Sequence, residues 1–100
     1  MVIKFTPQYD PFKVVNYLVD GGTLTIEILK ADGSVETDTF DFTDFGEDDL
    51  FQGAETTLSV NPIIFADRID NTMHLTVIRW YANQESELAK EVIIDYGANS

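Results

Sequence analysis

His74 is the only histidine in the chain, which contains no cysteine. Histidine titrates near neutral pH without help from its surroundings, so His74 is the first candidate for a general acid or base. The hairpin register derived below places Asp67 across from it. Catalysis would also require a nucleophile beside the imidazole, and the simpler interpretation of an Asp–His contact here is a surface pair near a turn. We therefore assign no catalytic residue.

A second candidate site is the acidic stretch 41–49, which carries five carboxylates in nine residues. Ca²⁺ binds roughly six to eight oxygen atoms, and clustered carboxylates can supply them. The spacing departs from that of an EF-hand, because Gly46 follows Asp44 by only two positions and the alternating Asp and Asn ligands are missing. We predict a solvated acidic loop without a metal site, anchored to the core by Phe42, Phe45 and Phe51.

Aromatic side chains form a third candidate group. Five of them lie near predicted strand ends and could form a platform for a carbohydrate or a peptide: Tyr9, Phe12, Tyr17, Trp80 and Tyr81. Aromatic residues at strand ends ordinarily pack in the core or at its rim, where most of their surface is buried. We predict packing roles for these five residues.

The sequence lacks the short motifs of common catalytic sites: G-x-S-x-G, H-E-x-x-H, C-x-x-C, a phosphate-binding loop and a dinucleotide fingerprint. A carboxylate-based hydrolase would need a pair of Asp or Glu residues at a cleft. With 18 carboxylates in the chain, the sequence does not single out such a pair. We therefore predict a non-enzymatic protein without a cofactor.

The charge of the chain limits its partners. It contains 18 Asp and Glu residues against six Lys and Arg, a net charge of −12. Such a surface repels a phosphate backbone, which argues against direct binding to nucleic acid. The same charge allows an alternative function, an acidic DNA mimic that inhibits a host nucleic-acid-binding protein by occupying its basic cleft. The simpler interpretation is that acidic side chains keep the protein soluble.

One hundred residues is the usual size of one domain, so we predict a single β-rich domain over residues 1–100. Hydrophobic residues make up 44% of the chain, enough for a core without a disulfide or a metal. No apolar run approaches the roughly 20 residues of a membrane span, and the first residues lack the features of a signal peptide. The absence of cysteine fits a reducing compartment. We expect a cytoplasmic protein that does not bind a membrane.

Short apolar runs rich in Val, Ile, Thr and Phe alternate with Gly, Asn, Asp and Pro turn signals, which is typical of β-strands. Only Gln84–Lys90 has a helical pattern. We predict a mainly β fold with little helix: an antiparallel sheet or meander, or a small sandwich, built from β-hairpins. The predicted strands are Val2–Thr6, Val14–Val19, Thr23–Leu29, Val35–Phe42, Thr57–Val60, Ile63–Ile69, Met73–Trp80 and Glu91–Tyr96.

Side-chain parity predicts the loop of the hairpin that contains Gly33. A two-residue turn would put the apolar residues of its two strands on opposite faces, because a one-residue slip moves every side chain to the other face. A three-residue loop over residues 31–33, with Gly33 in the left-handed conformation, restores agreement. This register pairs Leu24 with Phe40.

A second hairpin is predicted at Asp70-Asn71, because both residues tolerate the positive φ of a two-residue turn. The resulting cross-strand pairs are Ile64–Val77, Ala66–Leu75, Asp67–His74 and Arg68–Met73. Both faces are apolar at the open end of this hairpin, so we expect its two strands to be central in a sheet. The two registers together predict six buried residues: Leu24, Ile26, Phe40, Ile64, Leu75 and Val77.

Five short segments carry a family resemblance. They are Ile3–Gln8 (IKFTPQ), Gly22–Ile26 (GTLTI), Asp38–Thr43 (DTFDFT), Arg68–Ile78 (RIDNTMHLTVI) and Ala82–Glu85 (ANQE). In this order they resemble a family of small β-rich prophage proteins, typically encoded in or beside the tail genes of bacterial viruses. The family has no established activity, so no site residue is carried over. The chain departs from it in the extended hairpin Leu29–Val35 and at Trp80–Asn83, where Pro and Gly are common.

The resemblance implies a phage or prophage accessory protein, a structural or assembly component of the tail region that acts through protein–protein contacts. Its expected partners are tail-cluster proteins or a second copy of the chain, and its expected location is the host cytoplasm or the virion. A β domain offers edge strands whose unpaired backbone groups can bind another chain. As terminal strands, Val2–Thr6 and Glu91–Tyr96 are the predicted edges.

Overall fold

Two β-sheets pack against each other in the computed structural model, which describes residues 1–10, 14–30, 32–51, 53, 55–81 and 90–96. A four-stranded sheet has the order β5-β6-β1-β7, and a three-stranded sheet has the order β2-β3-β4. The strands are β1 (Val2–Tyr9), β2 (Val14–Asp20), β3 (Thr23–Leu29), β4 (Val35–Asp41), β5 (Ile63–Ile69), β6 (Thr72–Tyr81) and β7 (Val92–Asp95).

The predicted mainly β fold is confirmed, and its form is the small sandwich. No helix occurs in the described part of the chain, and therefore none that could span a membrane. The helical pattern over Gln84–Lys90 falls outside the described residues except for Lys90, which lies in a bend.

The β3–β4 hairpin confirms the parity argument. The Lys30 N–H donates to the Ser34 carbonyl over 2.8 Å and closes a loop of three residues. Gly33 has a φ of 89°, which lies in the region that glycine adopts without a steric penalty. Leu24 pairs with Phe40 as predicted. The local chain chemistry was therefore sufficient to predict this register.

The β5–β6 hairpin also has the predicted two-residue turn. Asp70 and Asn71 have φ values of 50° and 66°, and both central residues of a type I′ turn require positive φ. From the turn outward the register agrees with the prediction as far as Phe65 and Thr76. The Asp67–His74 pair lies within this segment.

A β-bulge changes the register at the open end of this hairpin. Ile63, rather than Ile64, pairs with Val77. The extra residue moves Ile64 off the apolar face, where its side chain is 48% exposed, and Ile63 is buried in its place. The predicted burial of Ile64 is therefore wrong, and the other five predicted core residues are confirmed: Leu24, Ile26, Phe40, Leu75 and Val77.

β1 lies in the interior of the four-stranded sheet, so the predicted edge at Val2–Thr6 is wrong. It pairs in parallel with β6 and antiparallel with β7, which makes the sheet mixed. β6 is central as predicted, whereas β5 is an outer strand. The predicted edge at Glu91–Tyr96 is confirmed, because β7 is the other outer strand.

The core lies between the inner faces of the two sheets. Ile3 and Phe5 of β1 contribute from one side, and Leu24 and Ile26 of β3 contribute from the other, all with at most 2% of their surface exposed. The Tyr17 ring of β2 packs edge-to-face on Phe5 with the ring centroids 5.2 Å apart.

Tyr17 also ties the two sheets together by a hydrogen bond. Its hydroxyl donates to the Ile78 carbonyl of β6 over 2.6 Å. Burial raises the pKa of the Tyr17 phenol, so the group keeps its proton at every physiological pH. A polar atom close to the core is thus satisfied by the opposite sheet.

The predicted strand Thr57–Val60 is wrong, because these residues form a series of bends. Their backbone is held by two carboxylates of β4 instead of by a strand. Asp38 Oδ2 accepts hydrogen bonds from the Thr56 hydroxyl at 2.7 Å and from the Thr57 N–H at 3.2 Å. Glu36 Oε1 accepts from the Ser59 hydroxyl at 2.6 Å. Side chains therefore replace the ladder partners that a strand would need.

Candidate functional site

His74 lies on the outer face of the four-stranded sheet, the face turned away from the core. Asp67 of β5 is its register partner on one side, as predicted, and Val2 of β1 is its partner on the other. Among the described interactions, no hydrogen bond or ion pair joins the His74 imidazole to Asp67 or to Thr76, the hydroxyl-bearing residue next on the same face. The imidazole therefore has no oriented nucleophile and no orienting carboxylate.

The outer face is built by two rows of register partners that cross the sheet from β5 to β7. The first row consists of Phe65, Thr76, Lys4 and Ile93. The second row consists of Asp67, His74, Val2 and Asp95. A groove of about 270 Å³ on this face is lined by residues of both rows and by Ile69.

Three large apolar side chains on this outer face are exposed. Phe65 is 51% exposed, Ile69 49% and Ile93 64%. Scattered apolar residues are normal on a surface, but these residues line one continuous groove together with Val2. Grouped apolar exposure with polar neighbours is typical of a surface that binds another macromolecule.

The outer face of the three-stranded sheet carries both threonines and exposed apolar residues. Threonines of neighbouring strands face each other there, and the Thr25 and Thr39 hydroxyls are hydrogen-bonded at 2.9 Å. Four large apolar residues are exposed on this face: Val14 and Leu18 on β2, Leu29 on β3 and Val35 on β4. The apolar groove described above belongs to the four-stranded sheet.

The charges beside the apolar groove have both signs. Lys4 forms an ion pair with Glu91, with 3.7 Å between Nζ and Oε1, and both side chains are about half exposed. Exposed pairs of this kind contribute little to stability. Asp67 and Asp95 stand at the two ends of the second row. The groove therefore offers apolar contact area with flanking carboxylates.

The acidic loop 41–49 is folded by hydrogen bonds to its own carboxylates. Asp41 Oδ1 accepts from the Thr43 N–H and hydroxyl, at 2.9 and 2.7 Å. Asp49 Oδ2 accepts from the Gly46 N–H at 2.6 Å. Hydrogen bonds from the Thr43 backbone and hydroxyl lower the pKa of Asp41, so this carboxyl is ionised at neutral pH.

The predicted anchoring of this loop by three phenylalanines is confirmed. Phe42 is buried in the core, and Phe45 and Phe51 are partly buried against it. Phe42 and Phe45 pack edge-to-face with centroids 6.4 Å apart. In the described ranges, no three His, Asp or Glu side chains come together in a way that could hold a metal ion.

Arg68 fastens the acidic loop to β5, a role that the sequence analysis missed. Its guanidinium donates to the carbonyl oxygens of Phe42, at 2.8 Å, and Phe45. A third bond, to the Asn71 carbonyl, spans 3.3 Å. The sequence signal was present: Arg68 lies on the same strand face as buried Ala66, and a cation at such a position requires acceptors.

The described aromatic residues do not form a single platform. Trp80 is buried, and Tyr17 lies between the sheets against Phe5. Tyr9 and Tyr81 pack edge-to-face across β1 and β6, with centroids 5.6 Å apart. The predicted packing roles hold for Trp80 and Tyr17, whereas Tyr9 is 55% exposed despite its ring contact with Tyr81. The fifth, Phe12, lies outside the described residues.

The carboxylates of the three-stranded sheet are divided between its faces. By strand alternation, the outer face of its described strands carries Asp20, Glu27 and Asp41, and these form no two parallel rows. Glu36 and Asp38 lie on the inner face and bind segment 56–59. This arrangement offers no particular support for a mimic of a phosphate backbone.

Comparison of the chain with protein-family models, with curated proteins and with solved structures finds no match. The resemblance to small prophage proteins therefore stays a prediction that depends on the segments quoted for it. The geometry of the outer face is the observation from which a function can be argued.

Proposed function

We propose that this protein is a non-enzymatic accessory protein of a phage or prophage, a structural or assembly component of the tail region. It acts by binding another protein through the outer face of its four-stranded sheet. The observation that carries the proposal is the apolar groove lined by Phe65, Ile69, Ile93 and Val2. The tail setting rests on the sequence resemblance alone. The protein works in the host cytoplasm or as part of the virion.

The exposed groups of this face favour a protein as the ligand. Phe65, Ile69 and Ile93 each expose about half of their surface or more, and covering them removes apolar area from water. They sit on strands that are paired within the sheet, so little backbone conformational entropy is lost when a partner orders them. A rigid apolar patch with a polar rim is the usual construction of a binding interface.

The charge of the chain selects among partners. A second copy also carries −12, so electrostatic repulsion opposes self-association at low salt. Asp67 and Asp95 flank the groove and favour a partner patch that is basic or neutral. We therefore expect a different tail-cluster protein, rather than a second copy, to bind this face.

The surroundings of His74 support a function without catalysis. Its register partners are Asp67 and Val2, and no hydrogen bond between described residues orients the imidazole for proton transfer. A general base needs its substrate proton within hydrogen-bond reach and gains efficiency from an orienting partner. His74 is accounted for as a polar residue on a surface used for binding.

The proposal is tested with purified products of the neighbouring genes, titrated one at a time by calorimetry. We expect one of them to bind, and we expect Phe65→Ser and Ile93→Ser to weaken that binding at least tenfold. The matched control is Leu18→Ser, which replaces a residue of similar exposure on the other sheet. Binding that is insensitive to both groove variants, or no binding by any tail-cluster product, would contradict the proposal.

Two further measurements address the competing functions. Sedimentation at increasing concentration tests self-association. A dimer that is disrupted by Ile93→Ser would show that a second copy, and not a tail-cluster protein, binds this face. A hydrolase screen tests catalysis. Turnover that is abolished by His74→Ala, with no partner recovered, would overturn the non-enzymatic assignment.

A further inference from the structure

A second cleft lies beside the C-terminal end of β4 and adjoins the apolar groove, because Phe51 in its lining packs edge-to-face on Phe65 with the ring centroids 6.0 Å apart. It has a volume of about 300 Å³. Its wall is aromatic, with two buried and two partly buried rings, and its polar lining includes two carboxylates. The residues that define it are Phe40, Phe42, Phe45, Phe51, Asp41 and Glu55.

The chemistry of this lining is suited to a cation. The face of an aromatic ring carries negative electrostatic potential and attracts an ammonium or a guanidinium group. Phe45 and Phe51 retain exposed surface from which such a group can be reached. Asp41 Oδ1 accepts both hydrogen bonds from Thr43, and Oδ2 accepts none among the described residues. That oxygen is available to a ligand that donates N–H groups.

No positively charged side chain of the described residues lines the cleft. Arg68 contacts the same loop, but its guanidinium donates to the carbonyl oxygens of Phe42, Phe45 and Asn71 and is not part of the lining. The net charge of −12 adds a long-range attraction for cations. The two carboxylates of the lining therefore have no Lys or Arg partner among the described lining residues.

We propose that this cleft binds an arginine side chain of a protein partner, with the guanidinium against the Phe45 ring and its N–H groups directed at Asp41 and Glu55. Guanidinium is favoured over ammonium because it is planar, stacks on aromatic faces and reaches carboxylates with a fork of donors. The inference goes beyond the proposed function, because the cleft and the adjoining groove have no lining residue in common.

The experiment uses a defined probe, the capped peptide acetyl-Gly-Arg-Gly-amide, titrated into ¹⁵N-labelled protein and followed by NMR. The matched control peptide carries citrulline, which has nearly the shape of arginine and no charge. We expect saturable shifts of the Phe45, Gly53 and Glu55 amides with the arginine peptide. We expect at least fivefold weaker binding of the citrulline peptide and of the corresponding lysine peptide.

Two variants test the assigned contacts. Phe45→Leu keeps an apolar side chain and removes the ring, and Glu55→Gln removes one charge. Each is expected to weaken arginine-peptide binding at least threefold. The control Val14→Ala replaces an exposed residue of β2 outside the cleft and should leave the binding unchanged. The amide shifts of Leu24 and Leu75 verify that each variant is folded. If Phe45→Leu does not fold, the binding measured for Glu55→Gln decides whether the cleft is the arginine site.

Several results would overturn the inference. They are non-saturable shifts spread over the acidic surface, equal binding of the citrulline or lysine peptide, and unchanged binding by Glu55→Gln. These outcomes are independent of the test with neighbouring gene products. A protein that binds its partner through Ile93 but ignores the arginine peptide would keep the proposed function and lose this site.

Discussion

At the scale of single residues, Glu36 and Asp38 show how carboxylates on an apolar strand face can be used. Both belong to β4 and lie on the face that carries buried Phe40. Hydrogen bonds from Ser59 and Thr56, respectively, lower their pKa values. The two side chains thereby hold a segment that forms no strand of its own. Their role is structural.

The contribution of Asp38 can be tested by hydrogen exchange. Asp38→Asn replaces the charged acceptor of the Thr57 N–H by a neutral one, and charge-assisted hydrogen bonds are the stronger kind. We expect faster exchange of the Thr57 amide with little change at Leu24 in β3. The control is Asp48→Asn in the acidic loop. Unchanged Thr57 exchange would show that other contacts hold this segment.

Leu75 is the residue with which to test the core. It is 2% exposed on β6, with Ile3 and Ala66 as its register partners. Leu75→Ala should lower the free energy of unfolding by about 2–5 kcal/mol, because it removes buried methyl groups and leaves a cavity. That is a large part of the ~5–15 kcal/mol typical of such a domain.

Denaturant unfolding measures the effect, with Leu50→Ala as the control. Leu50 is 80% exposed, so its truncation should leave the midpoint nearly unchanged. Equal midpoints for Leu75→Ala and the wild-type protein would show that the core has been wrongly assigned.

At the scale of elements, the two hairpins are specified by their turns. The β3–β4 loop needs one residue with positive φ, and Gly33 supplies it. The β5–β6 turn needs two, and Asp70 and Asn71 supply them. Each turn imposes a register, and each register directs alternate side chains to the core.

The requirement at Gly33 leads to a prediction for the β3–β4 hairpin. A Cβ at this position would meet no atom within 4 Å, so Gly33→Ala introduces backbone strain without a steric clash. We expect a loss of about 1–2 kcal/mol in the free energy of unfolding, the cost of the left-handed conformation for an L-residue. Thermal unfolding measures it.

Two controls accompany Gly33→Ala. Gly33→Asn should recover part of the loss, because asparagine tolerates this conformation. Gly46→Ala should be nearly neutral, because Gly46 does not have positive φ and an added Cβ would have only ordinary contacts, the nearest at 3.5 Å. If Gly33→Ala is as neutral as Gly46→Ala, the assigned loop conformation is wrong.

At the scale of the whole molecule, charge is the dominant feature. A net charge of −12 is carried by a protein of 11.3 kDa with 6310 Å² of accessible surface. Like charges at this density repel one another and oppose the compact state. Local hydrogen bonds to Glu36, Asp38 and Asp41 act in the opposite direction, because they stabilise the ionised forms in the folded protein.

The balance between charge repulsion and these local hydrogen bonds predicts how the stability of the protein depends on salt and pH. Raising the salt concentration to about 0.15 M shortens the screening length to roughly 8 Å, so the melting temperature should rise relative to dilute buffer. Lowering the pH from 7 toward about 5 should also stabilise the protein slightly, because the net charge becomes less negative. Calorimetry at fixed pH and fixed salt separates the two effects. A melting temperature that falls on addition of NaCl or KCl would contradict this prediction.

At lower pH, further acidification should destabilise the protein. The folded-state pKa values of Glu36, Asp38 and Asp41 are depressed, so their contribution is fully present above the unfolded values of about 4 and is lost as the pH falls through the folded values. The stability of the Asp38→Asn variant should therefore fall less steeply below about pH 4 than that of the wild-type protein.

The sequence by itself determined the features that depend on neighbouring residues. Alternation of apolar and polar residues predicted the strands, and the residues with positive φ predicted both turns. From these, parity predicted the Leu24–Phe40 pair and the position of Asp67 opposite His74. Each of these features is specified within one hairpin, where few registers compete and turn geometry selects one.

Only the tertiary structure decided what depends on distant parts of the chain. The parallel pairing of β1 with β6 joins segments about 70 residues apart, as in the Ile3–Leu75 pair, and no periodicity encodes the choice of partner. The bulge at Ile64 and the capture of segment 56–59 by Asp38 likewise depend on neighbours from other elements. The apolar groove forms only when Val2 of β1 and Ile93 of β7 come to lie on the same sheet face as Phe65, because sheet order, not sequence order, decides which side chains share a surface.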